Sequence, residues 1–262
     1  MAQVQDNTRL FRGQGQVFLA ERDGLGNPEG FEFVGNVSEL GITFKTDAIE
    51  HTESQTGNNS LDAKIEKGLK IEATYKACSL YKDNLRRMIF GELTETGAGT
   101  TVTDETVIAY LNKHSALEYI NLDSFASLTD EAGAVTYVEG TDYAVDLATG
   151  RISHAAAASY LQRAVLKANY VCAGEEAIAA FESVNRNFWL RFEGLNGAED
   201  NSPVVIDIPK LRFEPMKELQ AIGDEFNKFE QPGIALFDRY RRQVAGDKYS
   251  RYLTIRQVPQ AA

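Results

Sequence analysis

Apolar and polar residues alternate with a period of two over much of this chain, the pattern of strands that bury one face. From Asn36 to Asp47, Leu40, Ile42 and Phe44 alternate with Glu39, Thr43 and Lys45. From Lys64 to Lys76, the apolar face is Ile65, Leu69, Ile71, Ala73 and Tyr75. The polar face is Lys64, Glu66, Lys70, Glu72, Thr74 and Lys76, and only Lys67 is out of place. From Val184 to Glu193, Val184, Phe188, Leu190 and Phe192 alternate with Asn185, Asn187, Trp189 and Arg191. Shorter strands are predicted at Gln16–Glu21 and Phe31–Val34, joined through the turn-rich stretch Asp23 to Gly30. Others fall at Val204–Ile208 and Lys210–Glu214, punctuated by Pro209 and Pro215, and at Ile234–Arg241 and Arg251–Val258. The chain therefore reads as mainly β.

Four stretches depart from this rhythm. Ser79–Phe90 predicts the one helix, with Tyr81, Leu85, Met88 and Ile89 on one face, Arg86 and Arg87 in its last turn and Gly91 placed to stop it. Ala48–Asp62, AIEHTESQTGNNSLD, predicts a polar loop between two strong strands. It is far longer than the ~2–5 residues of most hairpin loops, so it should dock on something else. ETGAGTTVTDE, from about residue 94, reads as a linker into a segment of short strands that runs to Val171. Ala173–Phe181 reads as a junction or short helix, and Met216–Ile222 fits either a strand or a helical turn. The first 14 or so residues predict an extended arm, and no fixed-period repeat is present.

Charge sharpens this division. The chain carries 27 basic and 38 acidic residues, net −11. Thr100 to Glu175 alone holds ten acids and four bases, which marks it as a separate module. An acidic chain is a poor gripper of nucleic acid, which needs clustered Lys and Arg. No stretch approaches the ~20 apolar residues of a membrane helix, so no membrane insertion is expected. The opening MAQVQDNTRLFRG lacks the apolar region of a secretory signal. Cys78 and Cys172 stand alone and read as small buried hydrophobes of a reducing compartment.

Candidate chemistry is sparse. His51, His114 and His154 are isolated, without metal-ligand spacing. There is no nucleophile elbow and no phosphate loop. Asp142 and Asp146 share a strand face, where a calcium site is conceivable, but a turn-capping Asp142 and a solvated Asp146 explain them better. Glu50 and Glu53 lack an apolar wall to raise a carboxyl pKa. The expectation is a structural, self-assembling protein without catalytic residues, metal or cofactor.

Taken together, GQVFLAERDGLGNPEGFEFVGNVSELGITFK, the long polar hairpin loop, KGLKIEATYKACSLYKDNLRRMIFGE, YVEGTDYAVDLATGRI, and IDIPKLRFEPMKELQAIGDEF with IALFDRYRRQ resemble the major tail tube proteins of long-tailed, non-contractile bacteriophages. The resemblance covers nearly the whole chain and rests on distributed pattern. It implies a two-sheet β-sandwich or barrel-like tube domain with one flanking helix, in two halves, 1–99 and 174–262. A small β module, 100–173, would be inserted on the tube exterior. It implies hexameric rings stacked into a tail tube that conducts DNA, without sequence-specific binding, into the host. Further implied partners are a tape-measure protein in the lumen and terminator and distal tail proteins at the ends. The location would be the virion tail, assembled in the bacterial cytoplasm. The inter-ring contacts would come from Asp47, Glu50, His51, Glu53, Asn58, Asn59 and Asp62. The lumen face would carry Glu39, Lys45, Lys64, Glu66, Lys70 and Glu72. Alternatives are a secretion-system tube protein and a carbohydrate-binding or adhesion module, the latter poorly served by the single Trp189.

Overall fold

The computed structural model describes residues 10–79, 81–184, 186–198, 200–241 and 249–258. Most of the arm expected over the first 14 residues lies outside that set. The chain divides into two compact units, residues 1–92 with 180–262, and residues 93–179. The module expected over 100–173 falls inside the second. In chain order the elements are β1 (Gly13–Glu21), β2 (Glu32–Phe33), β3 (Val37–Thr52), β4 (Leu61–Ala77), the helix α1 (Lys82–Met88), β5 (Glu92–Thr96), β6 (Thr100–Ile108), β7 (His114–Ala116) and β8 (Leu122–Asp130). They continue with β9 (Tyr143–Asp146), β10 (Arg151–His154), β11 (Val165–Cys172), β12 (Glu175–Ala179), β13 (Asn187–Asn196), β14 (Ser202–Phe213), β15 (Phe229–Ala235) and β16 (Thr254–Gln257). The fold is mainly β with one described helix, as the alternation requires.

In the first unit the two expected layers are halves of one hydrogen-bonded sheet, ordered β2-β1-β13-β14-β15-β4-β3 with β16 also on β14. The change of layer occurs within β14. Val204–Asp207 pair with β16, and Leu211–Phe213 pair with β15. Pro209, which has no N–H to give a ladder, sits between these two stretches. The two strands expected around Pro209 are thus one strand that turns the corner. Val17, Leu19, Leu190 and Ile208 from one half pack in a common core with Ile71, Ala73 and Tyr75 from the other. Met88 of α1 closes one side of that core.

The helix is shorter than expected at both ends. Tyr81 is its N-cap and offers no side-chain hydrogen bond. At the other end Phe90, not glycine, takes the left-handed conformation (φ 52), and the Gly91 N–H donates to the Arg86 carbonyl at 2.7 Å. Asn84, which lies between Tyr81 and Met88 on the same side of the helix, is fully buried and donates to the Val34 carbonyl at 2.6 Å.

The second unit is all β. Its sheets are β6-β11-β8 and β7-β10-β9, with β5 paired to β12. Two expectations fail here: the stretch read as a linker forms the end of β5 and most of β6, and the junction read as a possible helix forms β12. Leu128, Ile152, Leu166, Ala168 and Tyr170 make a separate core. Gly150 is obligatory, since its φ is +63 and a Cβ there would lie 2.2 Å from the Tyr119 carbonyl oxygen.

Candidate functional site

The polar loop expected over 48–62 is largely strand. β3 runs on to Thr52 and β4 begins at Leu61, leaving a turn of residues 53–60. β15 covers β4 only from Ile71 to Ala77. From Lys70 outward the two strands, among the described residues, pair only with each other, and they form an arm reaching roughly 25 Å beyond the sheet. Polarity misled because a two-stranded ribbon has no layer to bury against and needs no apolar run to pair.

The arm is nonetheless not simply polar. Phe44, Ile49, Leu61, Ile65 and Leu69 are 49 to 65% exposed. Partners across a ladder share a face, so Phe44 with Ile71 and Thr46 with Leu69 lie on the core side. Gly68 lies opposite Asp47 and Glu66 opposite Ala48, so Lys67 is one residue too many. Beyond this bulge β4 is out of step. Glu66 and Lys64 join Ala48 and Glu50 on the side of Phe44. Ile65 and its partner Ile49 come to the opposite side, that of Lys45, Lys70 and Glu72. The arm therefore shows apolar side chains in two opposite directions along its length. The single apolar face expected for Ile65, Leu69 and Ile71 is corrected accordingly.

The same bulge divides the six residues expected on one polar face. Glu39, Lys45, Lys70 and Glu72 share a face; Lys64 and Glu66 occupy the other. On the first, Glu72 lies 2.7 Å from both Lys45 and Lys70, and their hydrogen bonds pull its carboxyl down to about 2. Lys76 lies 2.7 Å from Glu39. Four of these charges are thus locally cancelled along the arm's root. On the other face Lys64 lies 2.9 Å from Glu50.

The seven expected contact residues are not one loop. Asp47, Glu50 and His51 are in β3, Asp62 in β4, and Glu53, Asn58 and Asn59 in the turn. Glu53 closes that turn, accepting from the Gln55 and Thr56 amides at 2.9 Å each and from the Thr56 hydroxyl, which holds its carboxyl below the usual range. His51 and Asp62 face each other at 3.5 Å.

Sequence reasoning missed a buried ionic cluster on the outer side of β13 and β14. Asp207 is fully buried and accepts from Trp189 Nε1 at 3.2 Å, from Arg191 at 3.5 Å and from Arg256. The Arg241 guanidinium lies 4.4 Å from the centre of the Trp189 ring. The signal was present: Asp207 interrupts the apolar run VVIDI, and a charge placed there must be paired.

In the second unit the isolated histidine reading also changes. Ser115 Oγ lies 2.9 Å from His154 Nε2, and Nδ1 lies 2.7 Å from the Tyr160 hydroxyl, which donates to the Asp142 carbonyl at 2.9 Å. Ser115 Oγ also lies 2.7 Å from the Ile108 carbonyl, and its single proton must choose. These contacts tie β7 to β10 through the buried imidazole. Asp142 accepts from the Val138 and Ser159 amides, and Asp146 caps the next turn through Ala148 and Thr149. Among the described residues no group of three His, Cys, Asp or Glu is placed to hold a metal ion.

No curated protein matches the chain. One family model does, over residues 10–256, and its description is protein of unknown function UCP028589. That span takes in both units and the arm, and the chain belongs to this family.

Proposed function

We propose that this chain is a structural subunit that assembles with copies of itself into rings, and that the rings stack into a tube. The relevant kind is the tail tube of long-tailed, non-contractile bacteriophages. The observation that carries this reading is the arm. A two-stranded ribbon whose outer edges have no ladder partner among the described residues, and which carries four large apolar side chains about half exposed or more, is costly in a lone subunit and invites aggregation. It becomes an asset when another subunit covers it. Apolar groups on opposite sides suit an arm that lies between two neighbours rather than against one.

The face bearing Glu39, Lys45, Lys70 and Glu72 is the better candidate for the channel wall. Its ion pairs leave little free positive charge to hold phosphate, so DNA would slide over it. In this reading the lumen holds a tape-measure protein during assembly, and terminator and distal proteins cap the two ends. The test is electron microscopy of the purified chain together with analytical ultracentrifugation. Rings or tubes of uniform diameter are expected. A strictly monomeric protein at high concentration would sink the proposal.

A further inference from the structure

Three polar side chains of the second unit form a chain of contacts that ends on a backbone carbonyl at each side. Ser115 Oγ, in β7, lies 2.9 Å from His154 Nε2, in β10. His154 Nδ1 lies 2.7 Å from the Tyr160 hydroxyl, which donates to the Asp142 carbonyl at 2.9 Å. A carbonyl can only accept. Both contacts of Tyr160 are therefore hydrogen bonds in a single assignment: its own proton goes to Asp142, and Nδ1 carries the proton given to Tyr160. Nε2 is then the bare nitrogen, and its lone pair faces Ser115 Oγ. Burial, and then the charge of His114, hold the imidazole below its ordinary value of 6.5, so at neutral pH that lone pair is free of a proton. Beyond Tyr160, the titratable groups on this side are the Asp142 carboxylate, Tyr137 and Tyr143.

A hydroxyl, a neutral base and a group that orients the base, at these spacings, are the arrangement that activates a serine. His154 and Tyr160 are buried, whereas Ser115 is half-buried. Among the described residues β7 is an outer strand of its sheet, paired only with β10. The Ile108 carbonyl lies 2.7 Å from Ser115 Oγ and competes with Nε2 for its one proton. While the proton points to Ile108, two lone pairs meet across Oγ and Nε2. Turning it toward Nε2 removes that repulsion and primes the oxygen. Ile108 and its ladder partner Val165 are 47% and 36% exposed, so an apolar surface lies on the neighbouring strands.

We propose that Ser115 is a nucleophile that takes up an acyl group from an ester with a short apolar acyl chain, and that His154 Nε2 takes its proton. The bond from Oγ to the carbonyl carbon forms, and the bond from that carbon to the ester oxygen breaks. The Ser115 proton passes to Nε2 and then to the departing oxygen, which leaves a neutral imidazole and an acyl-Ser115. The site lies within the second unit and stands whether or not the chain assembles with copies of itself.

The test uses the full chain and p-nitrophenyl butyrate. Mass spectrometry should find the butyryl group on the peptide that carries Ser115, formed in step with released nitrophenolate. Ser115→Ala should leave only the background acylation of lysines. His154→Gln should slow acylation of Ser115 about a hundredfold, the scale of a general base's contribution. In the wild-type chain the rate should be level between pH 7 and pH 8 and fall about tenfold per pH unit once the imidazole is protonated. A merely structural histidine would not impose that profile. Ser115 acylated no faster than other serines overturns the proposal. So does a rate at Ser115 that stays flat below pH 7, an outcome that is readable even if His154→Gln does not fold.

Discussion

Asp207 shows how a single residue can organise a surface. Its carboxylate is fully buried and serves Trp189, Arg191 and Arg256 at once. Removing it would take the carboxylate from Arg256 and leave Arg191 with Glu193 alone, and both guanidinium groups keep only partial access to water. Asp207→Ala should therefore cost about 2 kcal/mol or more, read as a lowered urea midpoint, whereas Asp207→Asn should cost less by retaining the indole contact. Equal loss in both would mean that the charge is irrelevant. His154 gives a second test at this scale. Burial, and then the charge of His114, hold its imidazole below the ordinary value of 6.5. Tyr160, Ser115 and the Asp142 carbonyl are its other polar neighbours. The unfolded chain therefore takes up the proton more readily, and the stabilisation is complete above pH 6.5 and shrinks as pH falls below it. Amide exchange in β7 and β10 should speed up between pH 7 and pH 5, after correction for intrinsic rates. His154→Gln should flatten that dependence; an unchanged slope would assign the effect to another group.

At the scale of elements, what was legible in the sequence was whatever buried one face. The roots of β3 and β4, the inner alternation of β13 and the single helix all followed from period. What was not legible depended on partners distant in sequence. β5 and β12 pair across almost eighty residues, and each alone looks like a linker or a junction. The Lys67 bulge was visible only as one lysine on an otherwise apolar face, and nothing local says that β3 lacks a matching extra residue. The six residues expected on one polar face do lie on β3 and β4, but their division between two faces came from that bulge. The arm supplies the prediction at this scale. Ile49→Ser with Ile65→Ser removes the apolar pair on one side of the distal ribbon and touches no core. Stability should change by no more than ~0.5 kcal/mol, because exposed side chains contribute little to a lone subunit. Sedimentation should show loss of stacked assemblies, and assemblies of normal length would clear the arm of that role.

The whole molecule separates into two bodies of work. Each unit has its own buried cluster, and no described core residue of one appears in the other. The chain leaves the first unit at Gly91 and is back by Phe181, and there the two passages touch. The Phe181 N–H donates to the Ile89 carbonyl at 3.1 Å, and the Ser183 N–H donates to the Phe90 carbonyl at 2.9 Å. An excursion whose ends already meet costs little loop entropy to replace with a short bridge. Joining Gly91 to Ala180 through three or four Gly and Ser residues should therefore leave the first unit folded, with its sheet order and arm intact. It also removes the segment with ten acids against four bases, so the remaining chain is less acidic and should enter its isoelectric range at higher pH. If the first unit alone builds the tube, the excised chain still makes tubes, and those tubes are thinner in projection. The measurement is the outer diameter by electron microscopy beside that of the full chain. Folded excised protein that makes no tube would show that the second unit takes part in the contacts between copies, and equal diameters would show that it does not lie on the outside.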